Sequence, residues 1–384
     1  MIEKKIITAI SKVVKKGSKN LHEPIFFGRE KHYLNDCIKT GYVSYIGKYV
    51  NIFEDKIKKY TKSKYAIALV NGTSAIHILL NSMNVTEEDE VLLPSLTFVA
   101  TANAVKYCGA TPNFVDIETE NLGVCPEKLK KYLKRILIKK GKNYINKLSK
   151  KKIKTIIVVH LFGIPCQIEK IKKVCKKYNI KVIEDAAEAM GSFYKNAHLG
   201  NFSEAGVISF NGNKTITCGG GAVVITSKKK IADKIKHLST TAKIKHRWEY
   251  IHDQMGYNYR MTNLNAAVGC AQLENIHHIL KAKRKNFTDY YKAFEGIKEI
   301  ELLKEPIKSK SNYWLITLNL KKNYKLKNSI LRKLNNLGIN ARAIWKPLHT
   351  LIYLKDHPKD NLQNTIKVYR RMINLPSSAN INFK

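Results

Sequence analysis

The sequence is short of acid. Against 69 lysines and arginines it sets 30 aspartates and glutamates, for a formal charge of +39 over 384 residues. A field of that sign attracts nucleic acid, anionic lipid and phosphorylated small molecules alike, and selects none of them. The lysines are scattered along the whole chain among Ile and Asn, with no zinc-finger spacing and no RNP-like aromatic run. No dedicated nucleic-acid partner is therefore expected. No apolar run reaches the ~18 residues of a membrane span, so no transmembrane partner or span is expected either. No CxxC pair occurs among the seven cysteines, which argues against a small secreted disulfide framework. Free thiols fit a reducing compartment, and the expected location is cytoplasmic.

What is present is enough apolar material, 44% of residues, for a large packed core. At the N-terminus, Ile2, Ile6, Ile7, Ile10, Val13 and Val14 fall on one face of a helix over Met1–Lys16, with lysines elsewhere. Its apolar stretch is too short for a secretory core. Such a helix either lies on a membrane surface or packs on its own protein or a second copy; packing is the reading favoured here.

Further on, helical spacing alternates with short apolar runs. Helices are expected over Lys31–Ile38 and Val50–Tyr60, with a Gly-bounded loop, Gly41 to Gly47, that could line a pocket through Ser44 or simply turn. The run Ala66–Val70 reads as a strand ending in Asn71-Gly72-Thr73-Ser74 before a helix. Hydroxyl residues and free N–H groups at a helix start suit an anion, although any strand-to-helix turn uses such residues to cap. Strands at Glu90–Leu93 and Thr111–Asp116 flank a helix from Ala102, so the pattern is β-α-β-α-β, that of a doubly wound sheet with its site at strand C-terminal ends. Phe98, at one such end, could cover a flat ligand or be an ordinary core aromatic. Residues 126–154 read as a solvated helix and hairpin. A strand over Thr155–His160 leaves His160 at its end, as a site residue or a satisfied structural histidine.

Two segments carry the chemistry. Strand Lys181–Glu184 delivers Asp185 to its end, and Glu188 follows one expected helical turn later. A second apolar strand leads through Ser209 to Lys214, in a loop of small residues ahead of Gly219, Gly220 and Gly221. A lysine amine forms Schiff bases, and a nearby pyridine ring needs a carboxylate to keep its nitrogen protonated. Taken singly, the acid could cap a helix and the lysine could be solvated.

Together the segments NGTSA (71–75), TFVATANA (97–104), VHLFG (159–163), EDAAEA (184–189), SFNGNKTIT (209–217) and GYNYRMTNLNAAVG (256–269) resemble the DegT-type nucleotide-sugar aminotransferases. The likeness runs from Leu21-His22-Glu23-Pro24 to Asn374-Leu375-Pro376-Ser377-Ser378. It implies an α/β fold of the fold-type I, aspartate aminotransferase-like class with pyridoxal 5'-phosphate as cofactor. The expected units are a basic N-terminal helix over 1–20, a large cofactor-binding domain with a mostly parallel sheet over 21–280, and a smaller α+β domain over 281–384.

By the same resemblance Lys214 holds the cofactor and moves the proton, Asp185 pairs with the ring nitrogen, and Glu188 lies against the ring. Gly72, Thr73, Ser74 and Ser209 meet the phosphate, Phe98 covers the ring, and Asn258 reaches the phosphate of a neighbouring subunit, so a homodimer with shared sites is implied. Ser44, His160, Arg260 and His349 are candidates for substrate contact, although for His349 a structural role is the reading favoured; no metal is expected. Sugar dehydratases of this scaffold carry histidine where Lys214 stands, so the lysine points to amino transfer. The segments 41–50 and 248–260 and the final NLPSS resemble the branch that aminates UDP-linked 4-keto-6-deoxy-N-acetyl sugars on the way to bacillosamine and legionaminic acid, with L-glutamate as donor. A GDP- or dTDP-linked ketosugar, C3 amination, or a non-catalytic basic binding protein on the same fold are the alternatives.

Overall fold

The computed structural model describes residues 2–14, 20–141 and 143–380. Lys15, Lys16 and the end of the expected 1–20 unit lie outside the described residues, apart from Asn20. Helix α1 (Ile2–Val13) is followed by α2 (Glu30–Thr40) and α3 (Lys48–Thr61), then by strand β1 (Tyr65–Leu69) and α4 (Gly72–Ser82). Strand β2 (Asp89–Pro94), α5 (Ala100–Tyr107), β3 (Thr111–Val115) and α6 (Pro126–Ile136) come next. A hairpin of β4 (Leu137–Lys140) and β5 (Asn143–Asn146) leads to β6 (Lys152–Val159), α7 (Ile168–Lys176) and β7 (Lys181–Asp185). Short strands β8 (Phe193–Tyr194) and β9 (Ala197–His198) precede β10 (Gly206–Ser209), β11 (Ala222–Thr226) and α8 (Lys229–Ser239).

The main sheet runs β1-β11-β10-β7-β6-β2-β3, and the β4–β5 hairpin adds to it beside β6 at Lys152. Neighbours from β10 across to β3 are parallel, while β11 is antiparallel to both β1 and β10. Both faces are covered, which is why the strands are near-continuous apolar runs. Along β6, Ile156 and Val158 enter one core with Leu92 and Val182, whereas Ile157 enters another with Val91, Ile183, Val207 and Val224. That is the two-residue alternation of a strand buried on both sides. The parallel arrangement puts the ends of β2, β6, β7 and β10 along one edge.

The chain then makes a small hairpin, β12 (Lys243–Ile244) with β13 (Ile251–His252), and two helices, α9 (Asn263–Glu274) and α10 (Ile276–Ala293). A single helix through to Phe294 is expected from the pattern, but Asn275, with φ −103° and ψ 7°, breaks it. Beyond come β14 (Glu301–Leu302), β15 (Ser309–Lys310), β16 (Ile316–Asn319), α11 (Lys327–Asn336), β17 (Arg342–Ala343), α12 (Gln363–Arg371) and β18 (Met372–Leu375). A second, antiparallel sheet runs β14-β16-β18-β17. Strand β16 starts later than the expected Tyr313, because Tyr313 is left-handed (φ 47°) and the chain there curls around Asn312. A boundary at 280 falls inside α10. One core cluster joins Leu161, Phe162 and Ile164 to Trp314, Ile316 and Ile373, so the two sheets share packing.

Helix α1 buries Ile6, Ala9, Ile10 and Val13 in this second core with Tyr290 of α10, Phe294 just after it, and Ile330 and Leu334 of α11. Its charged side is anchored by Glu3, whose Oε2 accepts from Lys333 Nζ at 2.8 Å. The apolar face is thus used within the protein and not free for a lipid surface. No helix among the described residues is long and apolar enough to cross a membrane.

Candidate active site

A cavity of about 250 Å³ opens where β2, β6, β7 and β10 end, and its wall includes Gly72, Thr73, Phe98, Thr101, Asp185, Glu188, Ser209, Lys214, Trp314 and Trp345. Larger hollows lie elsewhere, one of them between residues 119–121 and 301–307, but they do not gather these groups. Position along the sheet edge explains the grouping: each strand end contributes the residue that leaves it.

Asp185 closes β7 and is buried. Its Oδ2 accepts from Thr101 Oγ1 at 2.8 Å and its Oδ1 from the Ala187 N–H at 3.1 Å. Burial pushes its carboxyl above the ordinary value, and those two donors, then Lys214, pull the other way. The expected helical turn after Asp185 does not form; residues 186–191 are turns. Glu188 reaches the same cavity through those turns because its Oε2 accepts from the Phe162 N–H at 2.7 Å. Phe162 sits in the left-handed region (φ 56°) to present that N–H. Burial raises the Glu188 carboxyl to about 7, with Lys214 as the largest opposing influence.

Lys214 lies in the loop after β10. Its Nζ is 3.7 Å from Glu188 Oε1 and 4.0 Å from the centroid of the Trp314 ring. Burial lowers the amine below its ordinary value, against the pull of Glu188 and Asp185. That shift favours the neutral, nucleophilic amine relative to an exposed lysine.

At the opposite end of the cavity lies the first turn of α4. The cap of α4 is Asn71, not the serine or threonine: its Oδ1 accepts from the Ser74 N–H at 2.8 Å. That bond occupies Ser74, which does not line the cavity, whereas Gly72 and Thr73 do. Their N–H groups belong to the first turn, which has no intrahelical acceptor. Ser209 stands across from them, so close that a Cβ on Gly72 would lie 3.4 Å from its Oγ. Phe98, 49% exposed, packs edge-on against Trp345 with ring centroids 5.4 Å apart.

Other expected site residues lie apart from this cavity. Ser44 is exposed, and its carbonyl accepts from the Asn263 N–H at 2.7 Å. His160 is buried behind the site: its Nδ1 accepts from the Cys166 N–H at 3.3 Å and its Nε2 lies 3.0 Å from Glu184 Oε2. Both ring nitrogens are thus engaged within the protein and the side chain is fully buried, as for a structural histidine. Arg260 is turned to Glu54, with Nη2 2.8 Å from Oε1. His349 bonds Ser95, Nδ1 to Oγ at 2.6 Å. Asn258 is exposed, pairs with Thr240 and does not enter the cavity of its own chain. The residues not singled out from sequence are Thr101, Trp314 and Trp345. The first lies in a quoted motif; the two tryptophans come from beyond residue 300, with no local signal beyond the rarity of tryptophan, three in the chain.

Residues 27–383 match the model of the DegT/DnrJ/EryC1/StrS aminotransferase family. The chain belongs to that family. It is similar to GDP-perosamine synthase of Vibrio cholerae, 36% identical over 93% of both chains. It is also similar to the UDP-4-amino-4,6-dideoxy-N-acetyl-beta-L-altrosamine transaminase of Campylobacter jejuni, 32% identical over 91% of this chain and 89% of that one. EpsN of Bacillus subtilis, 34% identical over 94% and 91%, is assigned to the pyridoxal phosphate-dependent aminotransferases. Among solved structures, Helicobacter pylori PseC superposes with a TM-score of 0.87 over 96% of this chain and 95% of its own, at 24% identity, which shows the shared fold. This DegT-family protein is accordingly a pyridoxal phosphate-dependent nucleotide-sugar aminotransferase on the fold-type I scaffold.

Proposed function

We propose that this aminotransferase moves the amino group of L-glutamate to the C4 ketone of a UDP-linked 4-keto-6-deoxy-N-acetylhexosamine, for glycan or glycoprotein sugar synthesis. The observation that carries the amino-transfer chemistry is the approach of Lys214 and Asp185 to one cavity that Gly72, Thr73 and Ser209 also line. The residues fit the cofactor: at Gly72 a Cβ would fill the space up to Ser209, 3.4 Å from its Oγ, and the donors there are neutral N–H and O–H groups suited to a phosphate. Gly72, Thr73 and Ser209 would hold the phosphate, Lys214 the aldehyde carbon, Asp185 the ring nitrogen, Glu188 the ring edge and Phe98 one face. When bound, the cofactor supplies an electron sink that lets an amino acid and a ketone exchange an amino group.

The chain's own residues then have separable tasks. The Thr101 hydroxyl and the Ala187 N–H favour the ionised form of Asp185 against its burial, and a negative charge there favours a cation beside it. Lys214 moves a proton at Nζ, which requires its neutral form; burial supplies that bias. Glu188, near neutrality in its own titration, can take or return a proton 3.7 Å from that amine. Phe98, Trp314 and Trp345 wall the cavity with aromatic surface and limit water. Asn258, outside its own cavity, would complete the phosphate seat of a neighbouring copy in a homodimer.

The UDP reading is supported by the sequence segments 41–50 and 248–260 and by the Campylobacter relative, whose name specifies a UDP-linked 4-amino-4,6-dideoxy-N-acetyl sugar. A GDP-linked ketosugar is the second reading, favoured by the relatives named GDP-perosamine synthase at 36% and 35% identity. Incubating the purified protein with glutamate and, in parallel, UDP- and GDP-linked 4-keto-6-deoxy sugars decides between them. Product identified by mass spectrometry and NMR as a UDP-linked 4-amino sugar is expected. Turnover confined to the GDP substrate would sink the UDP reading, and no turnover with either would sink both.

A further inference from the structure

Trp314 is buried in the shared core, 1% exposed, yet its indole face is turned to the amine of Lys214. Three bonds hold it there. Its Nε1–H donates to the Asn213 carbonyl at 2.8 Å, the peptide directly before Lys214. Its backbone N–H donates to Asn312 Oδ1 at 2.8 Å, and its carbonyl accepts from Lys283 Nζ at 3.1 Å. The same Asn312 ties down the other side of the site, since its Nδ2 donates to the Glu188 carbonyl at 2.9 Å and to Thr215 Oγ1 at 3.0 Å. Ring edge and main chain are therefore both fixed against the loop that carries the lysine.

A lysine that engages the cofactor would be free of it for part of each amino transfer. A free ammonium on a four-carbon stem loses direction unless something holds it. An aromatic face within ~6 Å attracts an ammonium, most strongly where water is excluded. We propose that Trp314 is a positioning residue that seats the free amine of Lys214 between amino-transfer half-reactions, with its ring face on one side and Glu188 on the other. Lys283 and Asn312 act through it by fixing its main chain. The inference rests on reading Lys214 as the group that engages the cofactor. The charged and titratable groups around the amine are Glu188 and Asp185, with His22 and Lys283 behind the tryptophan.

The test uses protein loaded with pyridoxamine 5'-phosphate, in which Lys214 carries no covalent bond. Its reactivity with an amine-specific reagent is followed against pH, and the Lys214 peptide is read by mass spectrometry. The ring favours the charged amine, so in Trp314→Leu the reactivity midpoint falls by roughly 0.5–1.5 pH units. Trp314→Phe keeps a ring face and recovers most of that shift. Fluorinated tryptophans, incorporated in a Trp345→Phe background, keep the shape and weaken the face, so the midpoint falls stepwise with fluorine number. They decide the matter if the leucine variant does not fold. A midpoint indifferent to fluorination, or unmoved in a folded Trp314→Leu protein, overturns the proposal. Borohydride reduction of the pyridoxal 5'-phosphate form tests the underlying reading separately: label on a peptide other than that of Lys214 would sink that reading and leave the reactivity measurement intact.

Discussion

Thr101 offers the sharpest test of how the site is tuned. It donates to Asp185 at 2.8 Å, and the remaining bond to that carboxylate is the weaker-placed Ala187 N–H at 3.1 Å. Thr101→Val keeps the shape and removes the donor. A hydrogen bond to a buried charged group contributes about 1.5–3 kcal/mol, and one pH unit corresponds to about 1.4 kcal/mol, so the carboxyl midpoint should rise by about 1–2 units. The sign follows from the bond: Thr101 stabilises the ionised form, burial already raises the group, and losing the donor raises it further. A more basic Asp185 keeps more of any proton shared with a partner cation, so its effective negative charge falls. Turnover should drop roughly ten- to a hundredfold, following the same free energy, with KM for glutamate little changed. Two assays check this: carboxyl-carbon NMR of cofactor-free protein against pH, and steady-state kinetics. Thr101→Ser should restore both values. A Thr101→Val enzyme within twofold of wild-type turnover, despite a shifted Asp185 midpoint, would refute the argument that this acid's charge drives the reaction.

Glu188, raised to about 7 from an ordinary 4.5, keeps a proton in the folded chain that the unfolded chain has lost across that window. Stability of the cofactor-free protein should therefore fall as pH rises from 4.5 to 7, by at most about 3 kcal/mol, and Glu188→Gln should flatten the slope in urea titrations; an unchanged slope would contradict the placement. His160→Leu leaves Glu184 buried with donors only from Gly200, Phe202 and Ser203, and should destabilise by about 3 kcal/mol, read as a lower urea midpoint at constant m. A loss below about 1 kcal/mol would mean that Glu184 does not depend on His160 for its burial. If Asn258 completes the site of a second copy, mixing inactive Lys214→Ala with Asn258→Ala chains should regain activity, since each mixed dimer holds one intact site. Absence of complementation in dimers shown to exchange subunits would rule out the sharing.

Much of the site was legible because its parts are local. Asp185 could be placed at a strand end from Val182 and Ile183 before it, and the start of α4 from a strand followed by Asn71-Gly72-Thr73-Ser74, since both depend on a few consecutive residues. Misplaced expectations came from residues whose partners are distant in sequence. Glu188 faces Lys214 through the left-handed turn at Phe162 and not through a helix, and His160 and Arg260 are engaged by Glu184 and Glu54.

What the sequence alone determined is the order of strands and helices, the chemical kind of each strand end and the family, because periodicity and consecutive motifs are properties of short stretches. Only the tertiary structure decided that Thr101 should tune Asp185, that Trp314 should cross from the second core to face Lys214, and that the basic N-terminal helix should spend its apolar face on α10 and α11. Those outcomes depend on which buried groups find partners across 80 or more residues of chain, and burial makes each pairing compulsory without marking it locally.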